Sequence, residues 1–276
     1  MLSSRLMGTT YPLAVGTLLR DWRQRRRMSQ LALACDAEIS ARHLSFLETG
    51  RSSPSREMIL RLSENLKIPL RERNVLLVAA GYAPVFQERA LDHPALQAAK
   101  SAIDLVLTGH EPYPALAIDR HWTLIAANRI IPLLLAGADA ALLSPPVNVL
   151  RLSLHPAGLA PRIVNLAEWR AHLLERLARQ VEVTADPVLI DLISELRSYP
   201  TTGPVNGSQS KENQDYAGVV VPLELATDGG TLRFFSTTTI FGTPVDITLS
   251  ELAVESFFPA DNQTAQNLRR LSETRC

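Results

Sequence analysis

Apolar side chains recur at helical spacing along the first part of the chain. Val15, Leu18, Leu19 and Trp22 fall on one face of a helix, which predicts an amphipathic helix over residues 14–27. Four more short helices are predicted, the last of them over residues 70–80. The buried sides of the other three are Leu33 with Ala34, Leu44 with Leu47, and Met58 and Ile59 with Leu62 and Leu66. Five short helices in roughly 80 residues indicate one compact all-α domain, which we place at residues 12–84.

Serine, glycine and proline mark where several of these helices begin and end. Ser29 and Ser40 can cap the second and third helices, and Gly50 can end the third. Pro54 is typical of a first helical turn, so we expect Ser53 to cap the fourth helix.

The second and third helices are joined by a tight turn and form a helix-turn-helix, whose natural partner is double-stranded DNA. Docking of this motif places the start of its second helix in the major groove. Arg42 is the main candidate for base reading, because a guanidinium can form a bidentate pair with guanine. The side chains expected to face base edges are Ala41, Arg42, Ser45 and Phe46. The alternative is a helical bundle that binds protein or nothing.

Other polar residues of this motif are assigned to the DNA backbone or to the fold. Gln30, Ser40 and Arg51 are placed to contact phosphates, which set register without reading sequence. Glu48 is expected to be a structural acid, paired locally or bonded to backbone. Glu38 stands in the turn, where a left-handed backbone would cost a non-glycine residue on the order of 1 kcal/mol.

The charge of the chain is divided unevenly along its length. Through Pro84 there are thirteen Lys and Arg against seven Asp and Glu, a net charge of +6. The remainder carries fifteen against twenty-one, a net charge of −6, so the whole chain of 276 residues is neutral. A basic first part suits phosphate binding and an acidic remainder does not.

From residue 114 onward, strand patterns appear between helical ones. Residues 114–128 alternate around Asp119-Arg120, which predicts a β-hairpin that leads into a helix. Asp228-Gly229-Gly230 between two β-rich runs predicts a second hairpin, and a further strand is expected over residues 252–258. Helices are predicted at residues 128–143, 166–183 and 185–198, with a short tail or helix over residues 260–272.

These elements predict an α+β domain at residues 111–265, with an antiparallel sheet and covering helices. Residues 85–110 are expected to form a helical connector, and residues 266–276 a tail. Residues 200–215 are rich in Pro, Gly, Ser, Asn and Gln, which indicates a long flexible loop.

Several segments of the first part resemble one family of regulators. Ser29-Gln30, Leu33-Ala34, Ile39-Ser40 and residues 43–55 are similar to the XRE-family, or lambda-repressor-like, helix-turn-helix regulators, as are the trailing segments at residues 66–70 and 79–84. The resemblance implies a five-helix lambda-repressor-like DNA-binding domain. This family commonly has glycine in the turn, where this chain has Glu38, so the turn is expected to be either slightly strained or built differently.

The second part resembles the MmyB-like ligand-binding domain of bacterial regulators. The segments that carry the resemblance are Pro114-Ala115, Trp122 with Ala126 to Asn128, Asn148 with Leu150-Arg151, Leu154 to Pro156, and Phe234 to Asp261. The resemblance implies a PAS-like sensor fold that binds a small apolar molecule, with a fatty acid as the expected type.

Apolar residues of the second part could line a cavity between sheet and helices, although each one alone is typical of a core. Arg129, Arg151 or Arg162 could meet a ligand carboxylate, and the sequence does not choose among them. The residues assigned to the ligand pocket are Trp122, Leu124, Leu133, Leu134, His155, Leu173, Leu177, Phe234, Phe241 and Phe257.

Catalysis, metal binding and membrane insertion find little support in the sequence. Cys35 and Cys276 are too few and too far apart for a zinc cluster or a disulfide framework. The common nucleophile, phosphate-loop, dinucleotide and zinc-protease motifs are absent, and the histidines are scattered. No apolar stretch reaches the roughly 18 residues that a membrane span needs, and no secretory signal is recognisable. We therefore expect a cytoplasmic protein that is not an enzyme and needs no cofactor, although its pocket could hold a fatty acid or similar lipid.

The sequence thus predicts a DNA-binding transcription regulator, acting as a homodimer on two half-sites, whose second domain senses a small ligand. Ligand binding is expected to act on the domains or protomers through the connector. A constitutive repressor or antitoxin-like protein is the first alternative, in which the second domain is a dimerisation or interaction module without ligand. An enzyme fused to a DNA-binding domain is the second alternative.

Overall fold

The computed structural model describes residues 14–200, 221–240 and 246–273. The chain divides into two compact units, Met1–Glu88 and Arg89–Cys276, which we call the first and second units. Several sequence predictions lie wholly or partly outside the described residues, among them residues 201–215 of the loop predicted at residues 200–215, the pocket residue Phe241, and Cys276.

The described part of the first unit is all-α, as predicted, and its helices surround one apolar core. Leu19, Leu44 and Ile59 are almost completely buried in this core. Helices α1 and α3 approach so closely that a Cβ atom on Gly16 would lie 2.2 Å from the carbonyl oxygen of Leu47. The helices are α1 Val15–Arg25, α2 Gln30–Asp36, α3 Ala41–Glu48, α4 Arg56–Asn65 and α5 Leu70–Ala79.

Two of the three predicted helix caps are confirmed. The Ser29 hydroxyl accepts a hydrogen bond from the Ala32 amide at 3.0 Å, and the Ser40 hydroxyl accepts one from the His43 amide at 3.1 Å.

The prediction that Ser53 caps the fourth helix is wrong, because α4 begins two residues later than expected. Ser55 is the cap, and its hydroxyl accepts from the Met58 amide at 3.2 Å. Pro54 is buried in the preceding loop, where its carbonyl oxygen accepts a hydrogen bond from the Tyr82 hydroxyl at 3.1 Å. Two serines flank Pro54, so the cap signal alone does not distinguish them.

The predicted connector at residues 85–110 is divided between the two units. In the first unit, the Asn74 side chain accepts from the Val85 amide at 2.9 Å and donates to the Phe86 carbonyl at 2.7 Å. In the second unit, a short 3₁₀ turn leads into α6 Gln97–Gly109. Ile103 of α6 is buried against the sheet, so α6 belongs to the core of the second unit.

The second unit is built on a five-stranded antiparallel sheet in the order β2-β1-β5-β4-β3. Both predicted hairpins are confirmed: β1 pairs with β2, and β3 pairs with β4 through a turn at Asp228-Gly229. The further strand predicted over residues 252–258 is β5, which lies between β1 and β4. The strands are β1 Ala115–Ile118, β2 Leu124–Ala127, β3 Leu223–Thr227, β4 Gly230–Ile240 and β5 Ala253–Pro259.

Side chains alternate between the two faces of this sheet, and both faces are covered. Ala115, Ala117 and Val254 pack with α6 on one face. Leu116 and Phe234 point to the other face, where they join a larger core that contains residues from most of the remaining helices. We call this second side the cavity face.

The remaining helices of the second unit agree in part with the predictions. The helix expected at residues 128–143 is two short helices, α7 and α8, separated by Gly137 at a φ of 88°. Helix α9 was not predicted, whereas α10 and α11 were. The bounds are α7 Ile130–Leu134, α8 Ala140–Leu143, α9 Val149–Leu154, α10 Leu166–Thr184, α11 Pro187–Ser198, α12 Ile247–Ser250 and α13 Asn262–Glu273.

The segment assigned to a tail at residues 266–276 is helical as far as Glu273. Leu268 of α13 is completely buried in the core of the second unit, and Thr264 accepts a hydrogen bond from the Arg233 amide at 3.0 Å. Helix α13 is therefore an integral part of this unit. In the described ranges no helix combines the length and the apolar character that crossing a membrane requires.

Candidate functional site

The exposed side of α3 carries a cluster of two arginines around one aromatic ring. The guanidinium carbon of Arg42 lies 5.3 Å from the centre of the Phe46 ring, and that of Arg51 lies 5.8 Å from the same centre. Both arginines are exposed, and the backbone amide of Arg51 donates to the Phe46 carbonyl at 2.9 Å. The end of α3 therefore fixes the position of Arg51 relative to Arg42.

The other residues assigned to DNA are placed as follows. Ala41 and Ser45 are half-buried on α3, next to Arg42 and Phe46 in the helix. Ser40 is exposed at the start of α3, where its side chain caps the helix. Gln30 lies at the start of α2, and its amide nitrogen donates to Glu48 at 2.7 Å. The DNA contacts of these residues stay predictions.

Glu48 is a structural acid, but its ionic partner is distant in sequence. The Arg23 guanidinium donates to both carboxylate oxygens of Glu48, at 2.6 and 2.9 Å. Both residues are buried, and Arg23 also donates to the Met28 carbonyl at 2.8 Å. This pair joins α1 to the end of α3, while Gln30 joins α2 to the same carboxylate.

Glu38, in the turn of the helix-turn-helix, has a left-handed backbone with a φ of 54°. Its amide donates to the Cys35 carbonyl at 3.1 Å, and the following amide of Ile39 donates to the Ala34 carbonyl at 2.9 Å. Of the two outcomes left open by the sequence, the turn is therefore the strained one: it keeps the geometry that favours glycine without having glycine.

Replacing Glu38 by glycine is expected to stabilise the first unit by about 0.5–1 kcal/mol, because the left-handed strain is removed and only part of the gain is lost to the more flexible unfolded chain. Asp36→Gly is the matched control. Asp36 is exposed and helical, so glycine there should destabilise by a similar amount. Urea unfolding measures the change in the free energy of unfolding in both variants. A decrease in Glu38→Gly would show that the left-handed backbone at Glu38 is not strained.

An apolar cavity of about 110 Å³ lies between the cavity face of the sheet and the helices that cover it. Every strand contributes to its wall, as do α7, α9 and α10. The wall residues are Pro114, Leu116, Trp122, Leu124, Ile131, Leu134, Leu135, Val149, Leu150, Leu152, Ser153, Leu159, Trp169, Leu173, Arg176, Leu223, Leu225, Phe234, Ser236, Glu255 and Phe257.

The structure brings six of the predicted pocket residues together in this wall. These six are Trp122, Leu124, Leu134, Leu173, Phe234 and Phe257. Leu177 is completely buried in the surrounding core and Leu133 packs against that core, but neither lines the cavity. His155 also lies outside the wall, where its Nδ1 atom accepts from the Ala157 amide at 3.0 Å and its ring packs edge-on against Tyr199.

The three arginines proposed as carboxylate partners do not line the cavity. Arg129 pairs with Glu111 at 2.6 Å, and Arg151 pairs with Glu195 at 2.7 Å. Arg162 donates to backbone carbonyls, among them that of Ala136 at 2.8 Å.

The cation in the wall is Arg176 of α10, which the sequence reasoning missed. Its guanidinium pairs with Glu255 of β5 and donates to the Thr238 hydroxyl of β4 at 2.8 Å. Thr238 and Glu255 are directly opposite each other in the β4–β5 ladder, and the Thr238 hydroxyl donates to Glu255 at 2.8 Å. The three side chains form one polar cluster at the edge of a wall whose other described residues are apolar, apart from Ser153 and Ser236.

Two tryptophans hold this region of the wall. Trp122 has a φ of 66°, unusual for a bulky residue, and its indole nitrogen donates to the Gln180 side chain at 2.8 Å. The Trp169 indole donates to the Ser153 hydroxyl at 3.1 Å and stacks on His172. Burial lowers the pKa of His172, and the charges of Arg176 and Arg179 lower it further.

Comparisons with known proteins agree with this two-unit arrangement. A family model described as the MmyB-like transcription regulator ligand binding domain matches residues 99–271, and one described as helix-turn-helix matches residues 19–73. A search of curated proteins finds no match for this chain.

One solved structure, titled "Structure of an RNA-binding Light-Oxygen-Voltage Receptor", aligns with 99% of this chain and 70% of its own, at 13% identity and a TM-score of 0.27. A TM-score this low does not indicate a shared fold. The MmyB-like model alone spans more than half of the chain, and it overlaps the described sheet and its covering helices. The chain therefore belongs to the MmyB-like transcription regulator family, with a helix-turn-helix in its first unit and a ligand binding domain in its second.

Proposed function

We propose that this protein is a sequence-specific regulator of transcription whose second unit binds a small apolar ligand of the fatty-acid or similar lipid type. The observation that carries the proposal is an apolar cavity in the ligand binding domain of a chain that also has a helix-turn-helix. Ligand occupancy changes the affinity of the protein for its operator.

The chemistry of the wall supports an aliphatic ligand. Leucine, isoleucine and aromatic side chains form most of it, and polar atoms are few. An alkyl chain gains about 0.8 kcal/mol for each CH₂ group that it buries, so affinity comes from shape and length more than from hydrogen bonds. The five-stranded antiparallel sheet with helices on the cavity face supports a PAS-like sensor.

Base reading by α3 is part of the proposal, with Arg42 as its main residue. Arg42 is exposed, and its guanidinium lies over Phe46 without a carboxylate partner among the described contacts. Arg51 and Ser40, both exposed, contact phosphates on either side. The protein acts in the cytoplasm as a homodimer that binds two half-sites about one helical turn apart.

Arg42→Ala is expected to weaken binding to an operator selected from random DNA by roughly 5- to 150-fold, the equivalent of about 1–3 kcal/mol for one bidentate base contact. Binding to unrelated DNA should change much less, because it depends on phosphates. Arg56→Ala is the matched control: Arg56 is an exposed arginine at the start of α4, and its variant should reduce both affinities equally and slightly. Unchanged operator affinity in Arg42→Ala would exclude base reading by this residue.

The ligand part of the proposal is tested separately. Native mass spectrometry of the purified protein should detect a bound lipid, or added fatty acids should raise the midpoint of thermal unfolding. The same ligand should change operator affinity. A constitutive repressor with an interaction module would show neither effect, so the absence of both would favour that alternative.

A further inference from the structure

Two opposite charges meet in the wall of the cavity. Of the described residues that line it, Arg176 and Glu255 carry charge, while Ser153 and Ser236 are the neutral polar members. The Glu255 side chain is 5% exposed and that of Arg176 is 25% exposed. A ligand that fills the cavity therefore lies near a buried carboxylate as well as near a cation.

Arg176 is held by three partners at once. Its Nη2 atom donates to Glu255 and to the Thr238 hydroxyl, the latter at 2.8 Å. Its guanidinium carbon lies 4.6 Å from the centre of the Trp122 ring, in cation–π geometry. The cation is thus already neutralised and fixed before a ligand arrives.

We propose that the cavity selects ligands whose polar end carries no charge, and that Glu255 determines this specificity. The ligand class is an aliphatic chain that ends in an alcohol, an amide, an ester or a protonated carboxyl group. This inference rests on the proposed function, since it specifies the charge state of the ligand at the same cavity.

The reason is the cost of a second negative charge beside Glu255. A ligand carboxylate would have to take Arg176 away from Glu255, which leaves a buried carboxylate without its cation. If it left the pair intact, it would lie close to a like charge in a medium of low dielectric constant. A hydroxyl or a protonated carboxyl avoids both penalties, because it can donate a hydrogen bond to a carboxylate that has further lone pairs.

The test uses the full-length protein and three probes of equal chain length: octanoate, octanol and octanamide. Titration calorimetry near neutral pH is expected to show octanol and octanamide binding roughly 10-fold or more tighter than octanoate. Octanoate binding should take up a proton, because the cavity accepts the ligand as the neutral acid. Titrations in two buffers of different ionisation enthalpy measure this uptake, and octanol should show none.

Glu255→Gln keeps the size of the side chain and removes its charge, which leaves Arg176 available to an anion. The variant should bind octanoate roughly 10-fold tighter than the native protein does, without proton uptake, and should bind octanol with little change. The double variant Arg176→Met with Glu255→Gln removes both charges. This double variant should bind octanol, and its affinity for octanoate should be no higher than that of the native protein. If the single variant does not fold, the preference of the native protein for octanol over octanoate decides.

The outcomes separate this inference from the proposed function. Octanoate that binds the native protein as tightly as octanol, or more tightly, would overturn the role of Glu255 while leaving a lipid-binding regulator intact. An unchanged probe preference in a folded Glu255→Gln variant would also overturn it. If none of the three probes binds, the ligand part of the proposed function fails, and this inference fails with it.

Discussion

Glu48→Ala is expected to lower the free energy of unfolding of the first unit by about 3–5 kcal/mol, the usual cost of removing one partner of a buried ion pair. The variant would leave the Arg23 guanidinium buried without its carboxylate, and Arg23 as a whole residue is only 9% exposed. Gln30 would lose its hydrogen-bond acceptor at the same time. The substitution removes contacts among three helices, because this carboxylate connects α1 and α2 to the end of α3.

The double variant Arg23→Met with Glu48→Met is the control for this experiment. Two well-packed apolar side chains in place of the pair should recover most of the lost stability, because no buried charge is left alone. Urea unfolding followed by hydrogen exchange of the amides in the first unit measures both variants, because Trp122 and Trp169 of the second unit would also contribute to a fluorescence signal. If Glu48→Ala lowered the free energy of unfolding by less than about 1 kcal/mol, the Arg23–Glu48 pair would behave like an exposed ion pair.

The same carboxylate makes the first unit sensitive to acid. Burial raises the pKa of Glu48, but the hydrogen bonds from Arg23 and Gln30 and the charge of Arg23 outweigh it and hold the pKa below its ordinary value. A glutamate has a pKa of about 4.3 in an unfolded chain, so this contribution to stability is complete above that pH. This stabilisation is lost as the pH falls through the lower pKa that Glu48 has in the folded protein. Urea unfolding at a series of pH values measures the loss, and Glu48→Gln should lack it.

The helix-turn-helix could be predicted in detail because its signals are local. Ser29 and Ser40 cap the helices that follow them, and Glu38 has the left-handed backbone that the turn requires. The start of α4 was misplaced for an equally local reason, since Ser53 and Ser55 both qualify as caps. Burial of Pro54 depends on the later residue Tyr82, which no short pattern shows.

The apolar residues of the cavity wall could be predicted from the sequence, but its pair of charged residues could not. Alternation in the strands places Phe234 and Phe257 on one face, so their neighbourhood follows from the sequence. The pairing of Arg176 with Glu255 spans 79 residues and depends on how α10 lies across the sheet. A signal was nevertheless present, because an acid within the apolar strand at residues 253–259 is unusual unless it is paired.

Phe234→Ala is expected to lower the free energy of unfolding of the second unit by about 3–5 kcal/mol, the range for deleting a buried aromatic side chain. Phe234 is 1% exposed, and its ring packs edge-on against Phe257 with 6.2 Å between the ring centres. A loss of this size should lower the midpoint of thermal unfolding by roughly 10 °C, and Phe234→Leu, which keeps an apolar side chain, should lower it less. Hydrogen exchange assigns the loss to the second unit.

Ligand should restore part of this loss, since Phe234 is also in the wall of the cavity. The enlarged cavity of Phe234→Ala can take additional CH₂ groups, each worth about 0.8 kcal/mol when buried. Binding stabilises the folded state in proportion to the logarithm of ligand concentration over its dissociation constant. A longer alkyl probe should therefore raise the unfolding midpoint of Phe234→Ala more than that of the native protein. Equal shifts in both proteins would mean that the ligand does not occupy the space that Phe234 leaves.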